Sequence, residues 1–272
     1  MSPNMPTVAL HQDVAIVLEE LDQPHFWRAL TTHLRGYVPV DNWVALIFSD
    51  GAPRILDFAE AALVGYEPDP LISAYATGLY LLDPFYIANR ENSRSGFFHL
   101  QDIAPEHFLQ TEYYKRYFAT YVFEDEVQYN LPLDGERTLG LSLGSRVKFS
   151  PEHIELLKLF RPWIVALMRQ RMFFEETSRA VSATVPLTWQ ENMATAVKSL
   201  GTSLTARELD VFRLVLSGCS NKEVAEKLVL SAETVKVHRR NFYAKLNIKS
   251  QTELFALFLR SQTANIGLPQ SL

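Results

Sequence analysis

An α+β domain followed by a small all-α module is the architecture that this sequence predicts, and three observations carry it. Strand-like alternation recurs before residue 150 without regular strand and helix succession. Four Ser or Thr helix-start signals crowd between Thr205 and Glu253, and a Ser, Thr and Pro-rich break lies between the two regions.

In the first region "NWVALIFSD", "PRILDF", "EVQYNLPL" and "TLGLSLGSRV" alternate apolar and polar residues and are rich in β-branched and aromatic side chains, so they read as strands. The last two flank "DGE" at 134–136, the turn of a hairpin, which makes the sheet antiparallel. Helical spacing occupies about 10–36 in two pieces, then 68–82, 104–120 and 151–178, the last opened by Ser150 and Pro151 at capping positions. Periodicity then fails in "ETSRAVSATVPLTWQ" (176–190), and a short helix is expected within 191–200 before Gly201. The resulting division is 1–178, a linker at 179–203, and 204–272.

The 272 residues, 47% of them hydrophobic, supply ordinary globular cores. Charge divides unevenly: residues 201–272 hold ten bases and six acids, +4, while the remaining sixteen bases and twenty-five acids give −9. A basic small module suits a polyanion, whereas the acidic larger domain handles something else. Cys219 is the one cysteine, so no internal disulfide forms. His99, His107 and His153 show no metal-binding spacing, and no cofactor is expected. The N-terminus lacks a basic segment followed by an apolar run, and no stretch approaches the ~20 apolar residues that a membrane span needs. A cytoplasmic location without membrane contact is therefore expected.

The C-terminal signals pair Thr205 with Glu208, Ser220 with Glu223, Ser231 with Thr234, and Ser250 with Glu253, three of them reading as full capping boxes. They predict helices at about 205–217, 221–228, 232–245 and 251–260. Each carries an apolar stripe: Leu209, Phe212, Val215 and Leu216; Val224, Ala225 and Leu228; Val235, His238, Phe242 and Leu246; and Leu254, Leu257 and Phe258. Only "VLS" separates the second helix from the third, the length at which two helices cross steeply as a helix-turn-helix. With Val235, His238 and Phe242 turned inward, the opposite face of the third helix presents Glu233, Lys236, Val237 and Arg240, with Arg239 and Asn241 at its edge. Such a face suits the major groove, where Lys or Arg meets guanine acceptors and an apolar side chain touches a thymine methyl.

The run from "LTARE" through "SNKEVA" and "SAETVKVH" to "KLNIKSQTEL" resembles the DNA-binding domain of LuxR-type transcriptional regulators over about fifty residues without an insertion. The resemblance implies that Lys236, Val237 and Arg240 face bases, and that Thr234, Asn221, Lys222 and Lys245 contact phosphates. It further implies a homodimer on double-stranded DNA, with Phe255 and Leu259 of the fourth helix supporting dimerisation, and RNA polymerase as a further partner. Sigma-factor regions use a similar motif, but no second promoter-reading region accompanies this one.

A regulator of this kind needs an input. A phosphorylated receiver domain would show regular βα alternation with an acceptor Asp after the third strand, an arrangement absent here. The α+β pattern instead resembles the PAS- or GAF-like domain of autoinducer-binding LuxR proteins, and "YLLDPFYIANRENSRSGFF" is similar to its Asp-Pro segment. Trp43 and the Asp83-Pro84 pair match; the Tyr and Trp array of lactone receptors is otherwise not reproduced. Aromatic density replaces it: Tyr75, Tyr80, Phe85, Tyr86, Tyr113, Tyr114, Tyr117, Phe118 and Tyr121, near Asp125 and Glu126. Rings around a carboxylate can cage a small cation. The expected ligand site is Tyr75, Tyr80, Asp83, Phe85, Tyr86, Tyr117 and Glu126, and the expected effector a small amine or amino alcohol. Core packing is the other reading of these rings, with Asp83 and Pro84 capping a helix, and a ligand-independent or protein-regulated factor is the other reading of the domain.

"GLSLG" satisfies the G-x-S-x-G pattern of hydrolases at Ser142, yet it lies inside an alternating strand rather than on a strand-to-helix turn, and no acid intervenes convincingly before His153. The sequence therefore predicts a non-enzyme.

Overall fold

The computed structural model describes residues 5–49, 51–59, 70–122, 124–134, 136–177, 194, 197–198 and 201–263. The expected linker lies almost wholly outside them, as does Gly135 of the hairpin turn.

Among these residues the larger domain begins with α1 (Met5–Glu19) and α2 (Phe26–Arg35), followed by β1 (Asn42–Phe48) and β2 (Arg54–Phe58). Next come α3 (Pro70–Thr77), a 3-10 turn (Leu79–Leu82), α4 (Pro84–Glu91), β3 (Gly96–His99) and α5 (Leu100–Ile103). A second 3-10 turn (Phe108–Gln110), a π-helical turn (Tyr114–Phe118) and α6 (Ala119–Tyr121) lead into the hairpin β4 (Asp125–Asp134) and β5 (Arg137–Ser145), and α7 (Pro151–Thr177) closes the domain. The strands form one antiparallel sheet in the order β2-β1-β5-β4-β3.

Strand periodicity sorts the sheet residues to two faces. Trp43, Ala45 and Ile47, Val127, Tyr129 and Leu131, and Leu139, Leu141 and Leu143 pack with α1, α2 and α7 around Phe26, Trp27, Leu157, Phe160 and Ile164. Each fully buried Val, Leu, Ile or Phe among them contributes about 1.5–3 kcal/mol. The Tyr129 hydroxyl donates to the Leu157 carbonyl at 2.8 Å, so even the polar tip on this face is satisfied.

On the opposite face the register aligns Val44, Ser142 and Gln128 in one row and Leu46, Gly140 and Asn130 in the next. Leu46 and Phe48 join a second apolar cluster with Tyr75, Tyr80, Leu82, Phe85, Tyr86, Tyr113, Tyr117 and Phe118. That cluster continues without interruption into the C-terminal module.

The helix expected over 104–120 is replaced by a 3-10 turn, a π-helical turn and the start of α6. Thr111 is the reason: its hydroxyl donates to the Phe108 carbonyl at 2.7 Å and accepts from the Tyr114 amide at 3.0 Å, which ends one turn and starts another. Strand β3 was not anticipated, whereas α4 is the helix that the capping reading of Asp83 and Pro84 implies: Asp83 accepts from the Phe85 amide at 2.8 Å, with Pro84 in the first turn.

The module comprises α8 (Ala206–Leu216), α9 (Asn221–Leu228), α10 (Ala232–Leu246) and α11 (Gln251–Thr263), in close agreement with the capping signals. Thr205 with Glu208 and Ser220 with Glu223 form reciprocal capping boxes. The third is altered: the Ser250 hydroxyl takes the Glu253 amide at 3.1 Å, but the Glu253 carboxylate accepts from the Lys249 amide at 3.0 Å. Phe212 and Phe242 meet edge to face at 5.8 Å in the module core. Between α9 and α10 the turn passes through Val229 at φ 54°, a β-branched residue in left-handed backbone.

Candidate nucleic-acid interface and ligand site

The third module helix, α10, is anchored by Val235, Phe242 and Leu246, all buried. Helical geometry then turns Glu233, Lys236, Val237 and Arg240 outward, and all four are exposed, Val237 at 44%. An exposed apolar side chain flanked by two cations on one helix face is the chemistry that base edges require. Lys236 is paired with Glu233 at 2.7 Å, a surface contact that water weakens. His238, assigned to the inward stripe, is only half-buried.

The expected phosphate-contacting residues divide. Lys222 stands 84% exposed with Glu226 at 4.0 Å, so its ammonium is available at the N-terminal turn of α9. The Thr234 hydroxyl shares a hydrogen bond with Ser231 at 2.8 Å at the start of α10, where the helix dipole also favours an anion. Asn221 accepts from the Arg239 guanidinium at 2.9 Å, which ties α9 to α10 and holds Arg239 at the edge of the reading face. Lys245 points to Glu208 of α8 at 2.7 Å and therefore serves inside the module. Burial pushes the Glu208 carboxyl up, but Lys245 and the Thr205 amide and hydroxyl outweigh it and hold the group below its usual value.

In the larger domain all seven expected ligand-site residues are buried and belong to one neighbourhood. Tyr113 stacks on Tyr117 at 5.4 Å, and Tyr117 on Tyr75 at 5.9 Å. The Tyr75 hydroxyl ends this stack by donating to Asp83 Oδ2 at 2.5 Å. Tyr80 meets Tyr86 edge-on at 5.0 Å, and Tyr86 meets Phe48 of the sheet at 5.5 Å. The π-helical turn creates the stack, because its wider spacing brings Tyr117 beneath Tyr113. No periodicity in the sequence reveals such a turn.

Two carboxyl groups border these rings. Burial drives Asp83 up to about 6 despite hydrogen bonds from Tyr75 and the Phe85 and Tyr86 amides. Burial, and then the charge of Asp83, push Glu126 well above the ordinary range. Among the described residues no Lys, Arg or His forms an ion pair with either. A polar strip runs on from Glu126 along the sheet: Ser142 donates to Gln128 at 2.6 Å, and Gln128 donates to Asn130 at 2.5 Å. Spacing in the sequence does show this strip, since 126, 128 and 130 share a strand face.

Two residues singled out near this site, though not among the seven, lie elsewhere. Asp125 points to the opposite sheet face, where His99 Nε2 lies 2.9 Å away and the Phe149 amide donates at 3.1 Å. Trp43 packs on that same face among α1, α2 and α7 rather than beside Asp83. Strand alternation separates both from their sequence neighbours. Ser142 sits mid-strand with its proton given to Gln128, an arrangement suited to holding a sheet together rather than to nucleophilic attack. No helix among the described residues is long and apolar enough to cross a membrane.

Residues 202–258 match the family described as bacterial regulatory proteins, luxR family. A protein of Aeromonas salmonicida named as an HTH-type transcriptional regulator in the exeN 3' region is 30% identical over 195 residues, which cover 68% of this chain and 97% of that one. The nitrate/nitrite response regulator protein NarP of Escherichia coli is 48% identical over 61 residues, 22% of this chain and 28% of NarP. The larger domain is similar to the crystal structure of the VqsR LBD domain from Pseudomonas aeruginosa, with 57% identity, a TM-score of 0.57, and coverage of 61% of this chain and 98% of that one.

Proposed function

The chain belongs to the LuxR family of bacterial transcriptional regulators, and on that premise we propose that it is a dimeric, effector-responsive factor that reads an inverted-repeat operator through α10. The observation that carries the reading is the outward face of α10, where Lys236, Val237 and Arg240 stand exposed over a buried Val235, Phe242 and Leu246 anchor. Lys236 and Arg240 meet base acceptors and Val237 meets a methyl group, while Lys222 and the helix starts at Asn221 and Thr234 grip phosphates. Two half-sites related by a two-fold axis follow from two copies of one module.

The effector in this reading is a small amine or amino alcohol held in the larger domain by Tyr75, Tyr80, Phe85, Tyr86 and Tyr117, with Asp83 and Glu126 as its counter-charges. Two buried carboxyl groups without a cationic partner among the described residues, bordered by stacked rings, support it. Each ring contributes about 0.5–2 kcal/mol to a desolvated cation. Selection of duplexes from a random-sequence pool by the full chain, with and without ethanolamine or choline, tests both parts. The expected result is a palindromic consensus whose recovery changes with the amine. A consensus without dyad symmetry, or none, refutes the operator reading, and indifference to every amine refutes the effector class.

A further inference from the structure

The first-turn acid of α10 behaves unlike those of the other module helices. Glu208, Glu223 and Glu253 stand at the third helical position and turn back to accept the amides of Thr205, Ser220 and Lys249 at 2.8, 2.7 and 3.0 Å. In α10 that position holds Thr234, and the acid comes one residue earlier, as Glu233. Its side chain is 80% exposed, its carboxylate meets Lys236 Nζ at 2.7 Å, and among the described residues it caps no backbone amide. The helix dipole favours an acid anywhere in a first turn, so it does not explain why this one forgoes the cap and faces outward.

Glu233 and Lys236 lie one turn apart on the face that also carries Val237 and Arg240. A carboxylate only accepts hydrogen bonds and an ammonium only donates them. Opposite Glu233 a base edge must therefore offer a donor, and opposite Lys236 an acceptor. In the major groove a C·G pair presents these side by side: the cytosine N4 amino group lies next to guanine O6, with guanine N7 beyond it. An A·T pair places the adenine N6 donor between two separated acceptors, so a cation finds no adjacent pair of acceptors there. The Glu233 and Lys236 head groups, 2.7 Å apart before any DNA arrives, have the polarity and spacing of the C·G edge.

We propose that Glu233 and Lys236 read one C·G base pair as a unit, Glu233 accepting from cytosine N4 and Lys236 donating to guanine O6 and N7. This inference rests on the operator reading of α10 and names one of its base pairs. The exposed ion pair exchanges partners at little cost, because water already screens it. Glu233 also works by exclusion: a guanine or thymine opposite it sets O6 or O4 against the carboxylate with no donor to relieve the contact. The same negative charge repels the phosphates of every duplex, so the residue trades affinity for discrimination. Helix rise places Arg240 about 10 Å further along the face, roughly three base steps from that pair.

Selection from a random duplex pool by the full chain and by its Glu233→Gln and Glu233→Ala forms, followed by titrations on duplexes changed at single positions, tests this reading. The parent consensus is expected to hold one C·G pair per half-site that shifts to A·T with Glu233→Gln, because glutamine pairs with adenine N6 and N7. Glu233→Ala is expected to lower discrimination at that position alone by about tenfold, while affinity for unrelated duplexes rises about twofold. A consensus identical at every position in all three proteins overturns the proposal and leaves the operator reading intact. Loss of preference spread evenly over the half-site, or a fall in affinity of Glu233→Ala for unrelated duplexes, does the same. Absence of any consensus from the parent removes the operator reading, and this assignment with it.

Discussion

Lys245 Nζ lies 2.7 Å from a carboxylate oxygen of Glu208, joining α10 to the first turn of α8. Glu208 is buried and also accepts from the Thr205 amide at 2.8 Å, so the pair is the strut on which the reading helix rests. Lys245→Ala leaves that carboxylate without its cation and is expected to lower unfolding stability by about 1–3 kcal/mol. The folded-state carboxyl titrates below its ordinary value, so the contribution is present at neutral pH and lost as pH falls through the folded value. Denaturant unfolding at neutral and acid pH checks both statements: the variant and parent curves converge in acid. A pure phosphate contact would leave stability unchanged.

Base readers and phosphate contacts differ in what they do to specificity. Arg240→Ala or Lys236→Ala is expected to reduce discrimination between operator and mismatched duplexes by about 1–3 kcal/mol. Lys222→Ala weakens all duplexes alike and lowers the slope of log affinity against log salt by about one. Titrations at three salt concentrations on matched and mismatched DNA separate the two behaviours.

In the proposed amine site, the carboxyl groups beside the tyrosine stack are expected to make the response depend on pH. Asp83 holds its proton more tightly folded than unfolded, so the protein without ligand loses stability as pH rises from the ordinary carboxylate value to about 6. A bound cation removes that penalty by pairing with the ionised form. Thermal stabilisation by ethanolamine is therefore expected to be larger above pH 6 than below it. An amine response that is constant across this window contradicts the assignment.

Glu126→Gln replaces a carboxyl whose charged form is strongly disfavoured by burial and by Asp83. Stability without ligand is expected to be unchanged or higher, because the amide resembles the protonated acid and cannot repel Asp83. The amine-induced shift in melting temperature is expected to disappear. Circular dichroism melts with and without amine read both quantities from one sample.

Val229 adopts left-handed backbone with its side chain 91% exposed, so it gains no packing in return for the strain. Val229→Gly is expected to stabilise the chain by about 1 kcal/mol. The turn between α9 and α10 then sits at no backbone cost, and duplex affinity stays the same. A destabilised variant would show that Val229 makes a contact in solution that outweighs its backbone.

The reach of the sequence differs between the two domains for identifiable reasons. Capping residues act over three or four positions, so Thr205, Ser220, Ser231 and Ser250 define four helices before any tertiary contact forms. The outward set Lys236, Val237 and Arg240 follows from those starts by helical rotation alone. In the larger domain four of the five strands were equally legible, because alternation is local, and the polar strip Glu126, Gln128 and Asn130 could be counted out along β4.

What local rules cannot reach is where distant segments meet. The 3-10 turn before Thr111 and the π-helical turn at Tyr114–Phe118 after it depend on a hydroxyl choosing backbone partners over a helix. Asp125 and Glu126 are adjacent, yet they serve opposite faces of one sheet, His99 on one side and the tyrosine stack on the other. The sequence by itself therefore determined the two-part architecture and the outward face of α10. Tertiary packing decided which rings surround Asp83, that Lys245 braces Glu208, and that Val211, Leu214 and Phe255 are covered, because burial is a property of the assembled surfaces and no residue's neighbours in the chain encode it.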